Sequence, residues 1–250
     1  MFVPYIEVQA ESSLQKLDQL ADEALQMTKI GRYEEAKKLL KIFEKEFTDA
    51  AVKERSFSMD ELRVLTAVHN QAVEAVTSVE MLPDKRINRL TTFRLVMDAF
   101  LSEYQPLWTG MEAPVMEAFQ QIKAAALHDD QDAYHFSLNR FLEKYAIIQP
   151  SLKIDLPVEK MQQLDAKIMY IDRYRAQMLE KNTAVKELEK LETDLVKLFQ
   201  QSDENETDPS LFLVMITTGS IIFLTLSYVS WRKYRGQKEK KERTKQKDER

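Results

Sequence analysis

Gly31 to Phe47 reads GRYEEAKKLLKIFEKEF, and this stretch decides the fold class. Glycine accepts positive φ and suits the position just past a helix C-terminus. After it, Ala36, Leu39, Leu40, Phe43 and Phe47 recur at spacings of three and four, the period of a helix with one buried face. Before it, Ser12 or Ser13 opens a helix in which Leu14, Leu17, Leu20, Ala21, Ala24 and Leu25 keep the same period. Two helices joined this tightly must pack antiparallel.

The whole chain follows suit. It has only four glycines in 250 residues, too few for the turns of a sheet or for a phosphate loop, so the expected fold is all-α, a multi-helix bundle of antiparallel hairpins. The Gly31 turn resembles that of a tetratricopeptide hairpin. No second G-x-Y-x-x-A follows about 34 residues on, so a plain hairpin is expected rather than a peptide-binding array. Ser58-Met59-Asp60-Glu61 has the form of a capping box and opens a third helix through Leu62, Leu65, Ala72 and Val76. Pro83 opens a fourth with an apolar face from Ile87 to Leu101, which Tyr104-Gln105-Pro106 interrupts. Pro114 stands in the first turn of a fifth, and HDDQD leads into a sixth from about Asp132 to Ile147.

These helices make up an expected bundle over 11–148. Gln149 to Pro157 reads as an extended linker, because each proline pushes its predecessor out of the helical region. Over 158–201 no proline or glycine intervenes, and the apolar register shifts near Asn182-Thr183. Either one long helix stutters there, giving a dimerising stalk, or two helices turn back onto the bundle; the second reading is preferred. Phe43-Glu44-Lys45-Glu46-Phe47 is echoed 98 residues later by Phe141-Leu142-Glu143-Lys144-Tyr145, a spacing that raises an internal duplication.

Beyond a short acidic stalk, 202–209, lies Ser210 to Trp231, SLFLVMITTGSIIFLTLSYVSW, with no charge in twenty-two residues. At about 1.5 Å per residue it is long enough to cross a hydrocarbon layer of about 30 Å, so a transmembrane helix over 210–231 is expected. Residues 232–250 carry ten Lys/Arg against four acids. Positive charge holds such a tail in the cytoplasm and puts the bulk of the chain outside. Tyr228, Trp231, Arg232, Lys233, Tyr234 and Arg235 are the expected membrane-interface residues. Export needs a signal, and Val8-Gln9-Ala10 has the form of its cleavage site, so 1–10 reads as the remnant of a signal peptide. The competing topology is a tail-anchored cytoplasmic adaptor.

Chemistry is hard to find. Cysteine is absent, which removes disulfides and thiol catalysis. His69, His128 and His135 lack helical metal spacing, and Asp129, Asp130 and Asp132 read as a solvated loop with helix-capping aspartates. No G-x-S-x-G or phosphate loop occurs, so no enzyme, cofactor or metal is expected, and the basic tail lacks the aromatic platforms of a nucleic-acid binder. Trp108, with Met111, stands as a candidate partner contact or, alternatively, as a plug for its own bundle. The partners expected are the lipid bilayer and another protein, with a homodimer through 158–201 as a further option.

Taken together, the GRYEEAKKLLKIFEKEF hairpin and the LFLVMITTGSIIFLTLSYVSWRKYRG anchor resemble those of the YpjB family of sporulation proteins from endospore-forming bacilli. The resemblance implies a secretory signal, a helical outer domain, one membrane helix and a role in spore formation, and it carries no catalytic or binding residues. The expected function is a non-enzymatic interaction or scaffold module on the cell membrane. A helical sensor domain that binds a ligand between its helices is the alternative.

Overall fold

A computed structural model of the chain describes residues 13–53, 58–102, 105–180, 183–204, 216–229 and 231–233, and among them no strand occurs. Packing separates Met1–Ser202 from Asp203–Arg250. The first unit contains α1 (Ser13–Lys29), α2 (Tyr33–Lys53), α3 (Met59–Thr77), α4 (Pro83–Ala99), a 3-10 turn (Leu107–Met111), α5 (Glu112–Leu127), α6 (Gln131–Asp155), α7 (Val158–Arg173), the one-and-a-half-turn α8 (Arg175–Glu180) and all but the last two residues of α9 (Ala184–Glu204).

The expected turn between the first two helices is present. Gly31 has φ +74°, Arg32 N–H donates to the Met27 carbonyl (2.8 Å) and Gly31 N–H to that of Thr28 (3.1 Å), which closes α1 with a Schellman motif. Ser58 and Glu61 form the expected capping box at the start of α3. The α5–α6 turn repeats the first with a different residue: Asp129 holds φ +53°, and Asp130 N–H reaches the Ala125 carbonyl at 3.1 Å. Asp130 then caps α6 through Ala133 N–H, so these aspartates are helix punctuation.

Gly31 and Asp129 stand 98 positions apart, and the same interval runs through three of the four helices. Leu17, Ala21 and Ala24 of α1 match Val115, Phe119 and Ile122 of α5; Ala36, Leu40 and Phe43 of α2 match Tyr134, Leu138 and Phe141 of α6; every one is buried. On α4 and α9 the buried pairs are Leu90 and Leu188, Phe93 and Leu191, Met97 and Leu195. For α3 and α7 the interval is 96, which pairs Leu65, Val68, Ala72 and Ala75 with Met161, Leu164, Ile168 and Ile171. The chain is therefore a structural repeat: α1–α4 enclose one hydrophobic core, and α5–α9 enclose a second. The Phe43–Phe47 stack recurs as Phe141–Tyr145. The edge-on partner of the central ring changes helix, from Phe93 of α4 in the first repeat to Phe119 of α5 in the second.

Two expectations are corrected here. The linker over 149–157 is helical as far as Asp155, with Pro150 inside α6, and only Leu156 and Pro157 break the chain. An interior proline costs about 3 kcal/mol, whereas burying Ile147, Ile148 and Leu152 of the same stretch returns about 1.5–3 kcal/mol each. Packing decides the outcome, and the carbonyl freed by Pro150 belongs to the exposed Ala146, where water can reach it. Nor does 11–148 form a bundle by itself, since α7–α9 complete the second core. Over 158–201 the described residues form separate helices: Tyr174 ends α7, and α9 starts at Ala184.

The second unit contains a helix, α10, over 216–229, and helical residues 231–233. Among the described residues no helix is long and apolar enough to cross a membrane. Residues 1–12, 205–215, 230 and 234–250, and with them the signal remnant, most of the stalk, the start of the apolar stretch and the basic tail from Tyr234 onward, lie outside the described residues.

Candidate functional site

Trp108 is 1 % exposed, so of its two readings the plug for its own bundle is the one that fits, and the candidate partner contact is corrected. The 3-10 turn carries it between the two repeats, where its ring packs on Phe199 and its indole N–H donates to Asp155 at the end of α6. Met111 is half-buried against the second core. Leu107 N–H donates to Asp98 Oδ2 at 2.6 Å, which fastens the turn to α4. Burial, reinforced by the nearby Asp98 charge, pushes the Asp155 carboxyl up to about 6, against the lowering effect of the indole bond. Behind Asp98 lies Arg94, whose guanidinium meets Asp18 at 2.6 Å and Asp22 at 3.5 Å. Burial nonetheless raises Asp18, with Arg94 opposing. These groups knit the repeats together, and the sequence shows no sign of it because the partners lie far apart in the chain.

His69 serves structure as well. His69 lies between Phe43 and Phe93 with Nε2 at 3.0 Å from the Leu40 carbonyl; a carbonyl only accepts, so Nε2 is the protonated nitrogen. Among the described residues no cluster of three His, Asp or Glu is placed to hold a metal.

An open groove between α7 and α9 is the feature that sequence reasoning missed. In the first repeat Arg86 ties the end of α3 to α4 by donating to the carbonyls of Ala75 (2.6 Å), Ser78 (2.7 Å) and Met81 (2.9 Å), with Tyr33 under its guanidinium at 4.5 Å. At the matching place in the second repeat stands Ala184, and the third helix runs on as α8. Between α7 and α9 lie two cavities. One, of about 220 Å³, has Leu164 and Leu198 in its floor and Lys160 and Lys197 at its rim; the other, of about 200 Å³, has Ile171 in its floor and Tyr170 and Lys190 at its rim. The Lys167–Asp194 ion pair crosses between them. No signal in the sequence marks these residues, which are ordinary members of two amphipathic helices.

Of the expected membrane-interface residues, Tyr228, Trp231, Arg232 and Lys233 are exposed on the helical residues of the second unit. Tyr234 and Arg235 lie outside the described residues.

A duplicated four-helix array followed by an uncharged helix defines an all-helical repeat protein. The chain belongs to the family described as Sporulation protein YpjB (SpoYpjB), which matches residues 14–243. It is 34 % identical over 230 residues to "Uncharacterized protein YpjB" of Bacillus subtilis strain 168, an alignment that covers 91 % of this chain and 87 % of that protein. No solved structure matches.

Proposed function

We propose that the chain is a single-pass membrane protein whose helical repeats lie outside the cytoplasm and act as a non-enzymatic interaction module in sporulation. One observation carries the topology: twenty-two uncharged residues, 210–231, directly followed by a segment with ten Lys/Arg against four acids. Translocating that many cations is disfavoured, so the tail stays inside. Helical structure over 216–229, with every residue exposed, fits a segment whose apolar surface is met by lipid. Tyr228 and Trp231 sit where amphipathic rings favour the headgroup region. Family membership supports the sporulation role.

Fusions after Gln201 test this, with alkaline phosphatase in one strain and a fluorescent cytoplasmic reporter in another, in the genomic reading frame extended upstream. Phosphatase activity without fluorescence is expected. Fluorescence without phosphatase activity would overturn the exported topology in favour of a tail-anchored adaptor.

A further inference from the structure

The two repeats share one design but not one environment. In the first, the outward side of α4 is covered: α6 of the second repeat lies along α4 and also touches α3. On α4 and its C-cap, Val96, Ala99 and Phe100 are 0 %, 7 % and 8 % exposed, and Leu95 joins the second core. The residues at the same places on α9 are Asp194, Lys197 and Leu198, and these line the open groove. On the third helix Val68 corresponds to Leu164 of the groove floor. The surface that receives a helix in the first repeat is thus bare in the second, with its apolar floor kept and its edge turned polar.

We infer that the α7–α9 groove docks an amphipathic helix of another protein, one that presents an apolar stripe flanked by acidic residues. The helical shape follows from the first repeat, where α6 fills the corresponding groove. The acidic flank follows from charge. Lys160, Lys167, Lys190 and Lys197 border the groove against Glu187 and Asp194, a local excess of two positive charges on a chain of net −5. The Lys167–Asp194 pair across the middle is 46 % and 33 % exposed, so opening it to an incoming helix costs little. A second copy fits poorly. Its counterpart of α6 is α2, which exposes Lys37, Lys38, Lys41 and Lys45 against Glu34 and Glu44 and would set a net positive face against the groove lysines. Such a mode of binding reads partners by anchors at helical spacing. The inference rests on the interaction-module reading above and is independent of its topology.

The probe is a labelled peptide of residues 139–155, the helix that fills the first groove, with Pro150→Ala and with Arg140→Glu, Ala146→Glu and Lys153→Glu at exposed positions. A control peptide carries lysine at 140, 143, 146 and 153. Binding is followed by fluorescence anisotropy on the full-length chain in nanodiscs of neutral lipid. A chain that stays out of nanodiscs counts against the membrane reading alone, and binding is then measured in buffer. The acidic peptide is expected to bind and the lysine peptide not. Lys160→Glu with Lys197→Glu should reverse that preference by about ten-fold or more, and Gln163→Trp, a filling substitution at an exposed rim position, should abolish binding while leaving the helical circular dichroism unchanged. Equal binding of both peptides, no binding of either, or a charge-reversed variant that behaves like the parent would overturn the inference. So would concentration-dependent self-association that the acidic peptide displaces, which would assign the groove to a second copy.

Discussion

Asp155 is the residue whose environment most departs from that of a free carboxylate. Its pKa of about 6 lies above the usual 3.8, so the folded state holds this proton more tightly than the unfolded chain does. Stability therefore falls as pH rises from about 4 to about 6, and the cost persists at neutral pH. Asp155→Asn keeps an oxygen for the Trp108 indole and removes the buried charge. The variant should gain about 1 kcal/mol at pH 7.5, discounted for partial exposure. Thermal unfolding at several pH values checks this: the gain should vanish near pH 4, and a gain independent of pH would show that burial of the charge is not the cause. The bond itself was not legible in the sequence, where Trp108 could be read as a plug for its own bundle but Asp155 fell inside an expected linker.

At the scale of helices and turns, the punctuation was legible and the packing was not. Gly31 could be read because only one residue type holds positive φ at little cost, and the Ser58–Glu61 box because both partners lie within one turn. Pro150 was misread, since a local rule against proline was outweighed by burial that only the fold reveals. Gly31→Ala isolates the local term. A Cβ there meets nothing within 4 Å, so the loss is conformational alone, about 1–2 kcal/mol by denaturant unfolding. Asparagine at the same position should lose less, because its side chain tolerates this conformation. An alanine variant as stable as the parent would mean that the turn does not constrain the hairpin. The Asp129 turn explains why the duplication showed in the sequence only as a faint echo. Equivalent sites kept their conformation and burial while changing residue, as with Gly31 and Asp129, Ala21 and Phe119, or Arg86 and Ala184. An eye set for identity passes over such pairs.

For the molecule as a whole, the ion pairs between first and fourth helices carry a consequence for how the chain finds its fold. In the first repeat the cation, Arg94, is on the fourth helix and the acids, Asp18 and Asp22, are on the first. In the second the polarity is inverted: Glu192 stands 98 places after Arg94 and meets Lys123 at 2.6 Å and Gln120 at 2.6 Å on α5. Two look-alike modules in one chain invite the wrong fourth helix to close the wrong core, a known failure of repeated sequences. Here α9 in place of α4 would set Glu192 against Asp18 and Asp22, and α4 in place of α9 would set Arg94 against Lys123. Opposite polarity thus acts as a key that lets each core reject its twin's helix while both form. Making the keys alike, by Glu192→Arg with Lys123→Glu and Gln120→Asp, should leave the native chain folded but add a population of helix-exchanged dimers on refolding, visible by size-exclusion chromatography. Refolding to the same single species as the parent would mean that core shape alone already tells the two apart.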